Sequence, residues 1–580
     1  MIANAKKIIN QYLLEKKTAV QFRQNKLQNW LFNENLYNGV VQKTLLTKSN
    51  LHVPKLFEGV HTMSSRLGEV PIIDYDTKPD NDENASEIMK NLIEYDMKRS
   101  QIDLLADHSK IECGLYGRSV FKLIPMPDGA RFEVIDTLSF LISPLATRPA
   151  NARYCGQQFI YKTFPELEDE AESFGYDKEV LQEVKDMVSD VFYSNSWEKS
   201  QRDLRLSYMG FSNITQLGEQ VVEKTEWYTY LKVNKKGEYS KDGKATPYVL
   251  TVINDEKLLG MIPLSEVGLE TFPFVSWATF PRLVTFWSPS IGDVLRDPNL
   301  AIDVTINQVI DNNTYRNFGM VFTASNSGLS QSSLVPRPLG VTKVTVPQGS
   351  KVQDMVWQFT PPEITSGIST YGLIANVADA AAGLSIPQAQ TSKGGKSSVS
   401  QLMQQQAIIE QKTNMIRRNW LDCFEELGQL YADVVSKHLT TPRKLKIYGD
   451  MGQMTIKGVT KKNFEGTEFI SKVIPEETIE ANKAAKEKKI MEFYGMFKDD
   501  PVINQRELKD YAMKELNVDP TTRDKLLKQD LTPGEAEMAQ VAPGQPQPGQ
   551  QQGQPSNIPT NPTNQMESMV QGAVQPNVAR

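Results

Sequence analysis

The sequence predicts an α+β fold in which helices predominate. Two observations support this prediction. Apolar residues recur at helical spacing in long stretches, notably 300–312 and 420–438. Elsewhere, short segments rich in β-branched and aromatic residues are bounded by turn residues. The segments 119–124 and 131–135, for example, flank Asp128-Gly129, a dipeptide typical of a β-hairpin.

The stretch from Trp287 to Thr441 is the centre of the predicted architecture. It predicts a helix, a β-containing excursion, a second helix, a loop and one long helix. The first helix is predicted to start at Asp297-Pro298, an N-cap acceptor followed by proline in the first turn. Helical periodicity then separates an apolar face from a polar face. The apolar face carries Ile302, Ile306 and Val309, and the polar face carries Asp303, Asn307 and Asp311.

The excursion is predicted to hold two strands, 320–323 and 341–346, and the second helix to end at Gly383. After a loop rich in glycine and serine, Ser398-x-x-Gln401 forms a capping box that opens the long helix. That helix would be roughly 60 Å long at about 1.5 Å per residue, so neighbouring elements must support it. Gly428 is its predicted kink point.

The composition argues against several classes of protein. At 580 residues, the chain exceeds what one hydrophobic core normally supports, so we expect more than one domain. Cys113, Cys155 and Cys423 match neither a disulfide framework nor a metal-ligand spacing, and we expect buried, reduced thiols. No apolar run is long enough to span a bilayer, and no signal-peptide core follows the N-terminus, so a membrane protein is not expected.

The net charge of −6 is spread as mixed signs without a dominant basic patch. Proteins that grip DNA phosphates usually carry such a patch. The charge pattern therefore argues against tight nucleic-acid binding, although it is compatible with a protein past which DNA slides.

One short motif is similar to part of a nucleotide-binding site. Gly394-Gly-Lys-Ser-Ser398 resembles the end of a P-loop, but a phosphate-binding loop needs a further glycine where Gln390 stands, and a buried strand before it. A flexible linker before a helix is therefore the preferred interpretation. No other group of carboxylates, histidines or cysteines has the spacing of a catalytic or metal site, so we expect no enzyme, no metal and no cofactor.

The order of these elements resembles the portal (head-to-tail connector) proteins of tailed bacteriophages. Five short segments also look like portal sequence: Tyr37-Asn-Gly39, Asn50-x-x-x-Pro54, Gly114-x-Tyr116-Gly117, Trp287-Ser-Pro-Ser-Ile-Gly292 and Gly383-Leu-Ser-Ile-Pro387. The likeness covers most of residues 5–530. It implies a portal fold with a mainly helical stem and crown, a β-containing wing and a small β clip, assembled as a ring.

The resemblance divides the chain into eight regions. They are an N-terminal arm and wing (1–288), a first stem helix (289–318), a clip (319–361), a second stem helix (362–384), a tunnel loop (385–397), a long helix that returns to the wing (398–475), a helical crown (476–530) and a tail (531–580). The tail is rich in glutamine, proline and glycine, a composition that predicts disorder.

The resemblance also implies a function. Portal proteins form rings, usually of twelve subunits, at one capsid vertex, and a separate terminase ATPase drives DNA through the ring. We therefore expect a virion protein, assembled in the host cytoplasm, that serves genome packaging, retention and ejection. The expected partners are further copies of the chain, the terminase large subunit, head–tail adaptors, the major capsid and scaffolding proteins, and double-stranded DNA bound without sequence specificity.

In such a ring, the polar face formed by Asp303, Asn307 and Asp311 would line the DNA channel. Its negative and neutral groups would keep a polyanion centred and mobile. In a lone chain, the same face would simply be the solvated side of an amphipathic helix.

Cations are expected to contact DNA and partners in two places. Lys393 and Lys396 of the tunnel loop would make weak, salt-screened contacts with DNA phosphates. Arg337 and Lys343 of the clip are expected to face the terminase or the adaptors. Outside a ring, the two loop lysines would be ordinary solvated residues.

Two other functions stay open at this point. One is a different virion structural protein, such as a tail or head–tail adaptor component. The other is a P-loop packaging ATPase that uses the 394–398 loop, which ATP turnover by the purified protein would reveal. The mass of the purified assembly separates the portal from the other structural proteins, because a closed ring of about twelve copies favours a portal.

Overall fold

The computed structural model describes residues 5–40, 47–77, 83–187, 221–233, 243–317, 321–323, 346, 348–349, 351, 353, 356–358, 361, 365–383, 399–448, 454–464, 466–474, 490–497, 508–509 and 511–513. Within these ranges the predicted α+β class is confirmed. The chain divides into two compact units, 1–493 and 494–580, and every element named below belongs to the first.

The helices have the following bounds: α1 Ala5–Tyr37, α2 Lys55–Leu67, α3 Glu83–Arg99, α4 Ile102–Tyr116, α5 Phe164–Phe174, α6 Lys178–Met187, α7 Ile291–Asn317, α8 Thr365–Ala382 and α9 Val399–His438. The strands are β1 Ile72–Thr77, β2 Arg118–Met126, β3 Gly129–Ile135, β4 Phe140–Ile142, β5 Tyr154–Thr163, β6 Val221–Val233, β7 Lys244–Ile253, β8 Lys257–Pro263, β9 Phe274–Ala278, β10 Val321–Thr323, β11 Val356–Gln358, β12 Arg443–Tyr448, β13 Met454–Val459 and β14 Phe469–Ile474.

The described strands form five antiparallel sheets. The largest has the order β4-β5-β6-β7-β8, and a three-stranded sheet has the order β3-β2-β9. Three two-stranded ribbons join β1 to β14, β10 to β11 and β12 to β13. The β1–β14 ribbon brings the chain after the long helix back to its N-terminal part.

The main hydrophobic core lies between α2, α3, α4, the three-stranded sheet and α9. Its largest side chains are aromatic. Trp420 of α9 is fully buried, and its ring lies 4.9 Å from that of Trp277 and 4.7 Å from that of Phe424. Smaller clusters pack α1 and the α5–α6 pair against the five-stranded sheet. The long helix is therefore supported by neighbours within the chain, as its length requires.

The first helix of the central stretch begins earlier than predicted. α7 begins at Ile291, and Pro298 lies inside it. Ser290 and Asp293 form the cap: the Asp293 N–H donates to Ser290 Oγ at 2.8 Å, and the Ser290 N–H donates to Asp293 Oδ2 at 3.2 Å. This reciprocal pair satisfies N–H groups at the helix start. Inside α7, Pro298 lacks the N–H for one internal hydrogen bond, and its ring crowds the carbonyl four residues earlier.

Two glycines act differently from what their positions in helical sequences suggest, namely a helix end at Gly114 and a kink at Gly428. α4 continues past Gly114 and ends at Tyr116, with Gly117 as its left-handed cap at φ +85°. α9 is one continuous helix through Gly428. The β1–β14 ribbon crosses α9 there, and the Tyr75 hydroxyl donates to the Gly428 carbonyl at 2.9 Å. Close approach, and not a kink, therefore requires glycine at this position.

Replacing Gly428 with alanine is expected to lower the free energy of unfolding by about 1–3 kcal/mol, the usual cost of overpacking. An added Cβ would lie 2.7 Å from Ile73 Cγ2 and 3.2 Å from Ser471 Cβ. Denaturant titration measures the effect. Gly372→Ala in α8 is the matched control, because a Cβ there meets nothing within 4 Å. Alanine at 372 is expected to be neutral or stabilising, and an equal loss in both variants would contradict overpacking as the cause.

The three cysteines are buried and unpaired, which confirms that part of the prediction. Burial raises the pKa of Cys113, Cys155 and Cys423 well above the ordinary thiol value. All three therefore stay protonated, and none is an activated nucleophile.

Candidate functional site

The candidate site is a helical hairpin made of α7 and α8, called the hairpin below. α7 packs along α8, whose Gly367, Ala378 and Ala382 are buried. Small residues at these buried positions leave room for neighbouring helices to approach α8 closely. Beyond the outer ends of the two helices, β10 pairs with β11, and the rings of Phe322 and Trp357 lie 5.3 Å apart.

The polar face of α7 is covered by another part of the chain. Asn299, Asp303, Asn307 and Asp311 stand four residues apart on one side of the helix. Opposite them lie residues 48–54, a non-helical segment that we call the strap, which leads directly into α2.

The two asparagines bind the main chain through both ends of their amides. Asn307 accepts from the Leu51 N–H at 2.7 Å and donates to the Leu51 carbonyl at 2.9 Å. Asn299 donates to the Val53 carbonyl at 3.0 Å and accepts from the Leu56 N–H at 2.9 Å. The second bond satisfies one of the free N–H groups at the start of α2, so α7 caps that helix from outside.

The two aspartates act only as hydrogen-bond acceptors. Asp303 accepts from the Val53 N–H at 2.8 Å, and its second oxygen lies 2.8 Å from Nδ1 of His52. Asp311 accepts from the N–H groups of Lys48 and Ser49 at 2.6 and 2.9 Å. The Ser49 hydroxyl, followed by these two N–H groups, holds the pKa of Asp311 below its usual range.

These contacts correct the channel-lining prediction. Asp303 and Asn307 are each 5 % exposed and face the strap. Assembly of subunits covers protein surface and does not uncover it, so these two side chains cannot line a channel in this conformation. Asp311 is half-buried and makes bonds of the same kind. The polar face serves to hold the strap, because its carboxylates and amides match the main-chain groups of a neighbouring segment.

The helix α2 connects the strap to the second helix of the hairpin. Lys55 at its start makes an ion pair with Asp379 of α8 at 2.8 Å. Burial by itself would lower the pKa of Lys55, but bonding to Asp379 and Glu58 raises it overall. At the other end of α2, Arg66 donates to the carbonyl of Gly383 at 3.0 Å. The N-terminal arm therefore contacts both helices of the hairpin.

The face of α8 that points away from α7 is uncharged and exposed. Asp379 is the only charged residue between 365 and 382, and it is paired with Lys55. Leu373 and Val377 on the outer face are 64 and 58 % exposed. The predicted site residues did not include this face, although a single charge in an 18-residue helix was an available signal.

The other predicted site residues fall outside the described ranges. Lys393 and Lys396, with the whole 394–398 motif, belong to this group, and so do Arg337 and Lys343. No group of histidine, cysteine and carboxylate side chains suited to a metal ion occurs in the part of the chain that the structure describes. Among the described helices, none is long and apolar enough to cross a membrane.

The chain matches the profile of a known protein family. The profile of the family described as phage SU10 portal protein matches residues 58–461, a span that contains most of α2, the hairpin and α9. The match covers well over half of the chain, so this protein belongs to the phage SU10 portal protein family. This is a family of structural, non-enzymatic components of the phage capsid. No curated protein sequence is detectably similar to the chain.

Proposed function

We propose that copies of this chain form a closed ring of about twelve subunits at one capsid vertex, and that double-stranded DNA passes through it during packaging and ejection. The family match supports this proposal, since portal proteins in general act as oligomeric rings in the capsid. In the ring, the hairpin is the stem, the segment between its helices is the clip, and assembly takes place in the host cytoplasm.

The outer face of α8 is the observation that carries the proposal. Leu373 and Val377 leave large apolar side chains in water on a helix whose one charged residue is paired. Burying such a side chain is worth about 1.5–3 kcal/mol, so a second protein surface is expected to cover this face. We assign the contact to the neighbouring subunit in the ring, because a head-to-tail contact between copies builds a ring when its rotation closes.

Each remaining region of the chain is proposed to bind its own partner. The clip, with Arg337 and Lys343, would bind first the terminase large subunit and later the head–tail adaptors. Lys393 and Lys396 would face DNA, with the weak and salt-dependent attraction of isolated lysines. Wing and crown would contact the major capsid and scaffolding proteins. The chain itself would carry no catalytic site or cofactor, and the terminase would supply the energy for DNA movement.

The mass of the purified assembly tests the ring and the α8 contact together. We expect wild-type protein to form one closed species near twelve copies, and Leu373→Asp/Val377→Asp to shift it to folded single subunits, because each aspartate would be buried without a partner. Native mass spectrometry measures the copy number.

Leu373→Met/Val377→Ile is the matched control and should retain the ring, since it keeps both positions apolar. Circular dichroism confirms that the aspartate variant is folded. A wild-type protein that stays monomeric would refute the ring. An intact ring in the aspartate variant would refute the assignment of this face.

A further inference from the structure

The strap and α7 match each other in repeat distance. Four residues of an α-helix rise about 6 Å, and two residues of an extended chain rise about 6.6 Å. Steps of four along α7, from Asn299 to Asp311, therefore correspond to steps of about two along the strap, in the opposite direction. The two asparagines supply donors and acceptors, as the edge of a β-strand would.

The bonds follow alternate strap residues. The N–H groups of Ser49, Leu51 and Val53 all donate to α7 side chains. The N–H of Asn50 makes no bond within the described residues, and position 54 is a proline, which has no N–H to donate. Beyond this alternation, the Lys48 N–H adds one more bond at the end of the row.

Recognition of the strap depends mainly on its main chain, and the side chains of His52 and Ser49 add bonds to Asp303 and Asp311. Leu51 binds Asn307 through its N–H and carbonyl, while its side chain is 50 % exposed. Side-chain changes at this position are therefore expected to matter little. Loss of an N–H that donates to α7 would matter much more, since it would leave a buried acceptor without a partner.

We propose that the strap is a brace, recognised mainly through its main chain, that fastens the N-terminal arm to the hairpin and fixes α7 and α8 relative to α2. The brace reaches both helices: the strap binds α7, and α2 holds α8 through the Lys55–Asp379 ion pair and the Arg66 bond to Gly383. Detaching the strap frees the hairpin to move against the arm. The proposal does not depend on the ring.

Proline substitution at neighbouring strap positions tests the brace in the full-length protein. Leu51→Pro removes an N–H that donates to Asn307, whereas Asn50→Pro removes one that makes no bond in the described structure. Hydrogen exchange followed by mass spectrometry reads the peptides covering 48–56 and 365–383. We expect Leu51→Pro to accelerate exchange in both regions roughly tenfold, the effect of losing one buried hydrogen bond, and Asn50→Pro to leave both near wild type.

Two further variants distinguish main-chain recognition from a side-chain effect at position 51. Asn307→Leu removes the same bonds from the helix side and should reproduce the effect of Leu51→Pro, while Leu51→Ala keeps the main chain and should have none. Equal effects of the two prolines would refute main-chain recognition. Faster exchange in 48–56 with unchanged exchange in 365–383 would show that the strap does not brace α8, and would overturn the proposal.

Discussion

Replacing Asp96 with alanine is expected to lower the free energy of unfolding by about 3–5 kcal/mol, the cost of leaving a buried charge without its partner. Asp96 is fully buried. One of its oxygens accepts from Arg443 at 2.7 Å, and the other accepts from the Tyr431 hydroxyl at 2.7 Å and the Ala130 N–H at 3.0 Å. One carboxylate thus joins α3, the β2–β3 hairpin, α9 and β12.

The loss of stability in Asp96→Ala comes mainly from the polar groups that lose their hydrogen-bond partner. Burial by itself would lower the pKa of Arg443, but the bond and charge of Asp96 raise it overall. Without the carboxylate, the guanidinium, the hydroxyl and the N–H would all lose an acceptor. Denaturant titration measures the loss.

Glu94→Ala is the matched control for Asp96. It lies on the same helix and pairs with Lys98 at 2.6 Å, but both side chains are more than half exposed. An exposed pair of this kind contributes about 0.5 kcal/mol or less. If the free energy of unfolding fell by a similar amount in the two variants, Asp96 would contribute no more to stability than a surface charge does.

Replacing Glu226 with glutamine is expected to cost about 3 kcal/mol at neutral pH, because buried Lys122 would lose its counter-charge and buried Lys224 would keep only its ion pair with Glu170. Lys122 and Lys224 are 6 and 4 % exposed, and their ammonium groups lie 2.6 and 3.0 Å from the carboxylate. Burial by itself would raise the pKa of Glu226, but the two lysines bring it far below its usual range. Denaturant titration at pH 7 measures the cost.

The pH dependence gives this prediction a second readout. A carboxyl whose pKa is lowered by folding stabilises the protein above its unfolded pKa, near 4.5, and this stabilisation is lost as the pH falls below that value. The difference in the free energy of unfolding between wild type and Glu226→Gln should therefore become smaller below pH 4.5. Glu183→Gln, which breaks the half-exposed Lys257 pair, should cost about 0.5 kcal/mol or less. A difference independent of pH would contradict a role for the Glu226 charge.

Local signals predicted the secondary structure well where they were strong. Asp128-Gly129 marked the β2–β3 turn, and helical periodicity gave α9. Weaker signals were missed. The break between α3 and α4 has neither glycine nor proline, and Gln101 adopts φ +53° there. Local signals placed the start of α7 too late, at Asp297-Pro298, because the Ser290–Asp293 cap was not recognised in the sequence, whereas the stem-helix region 289–318 implied by the resemblance lies close to the observed helix.

The candidate site was less predictable because it depends on contacts between distant segments. The sequence shows that Asp303 and Asn307 share a face, but not that residues 48–54 lie against it. The polar side chains of a helix face can hydrogen-bond either to water or to the main chain of another segment. The sequence of the helix therefore does not show which of the two partners it has. Gly428 presented the same difficulty, since its partner Ile73 lies far away in the sequence.

The β1–β14 ribbon has a consequence for biosynthesis. Its two strands lie near opposite ends of the first compact unit, with the pairing running from Ile72 with Ile474 to Thr77 with Phe469. While the ribosome is still translating the intervening codons, β1 has an unsatisfied edge that can pair with a foreign strand. In a polypeptide released before residue 469, that edge of β1 would stay unpaired. Premature termination late in translation would therefore yield an aggregation-prone product and not a shortened but folded subunit.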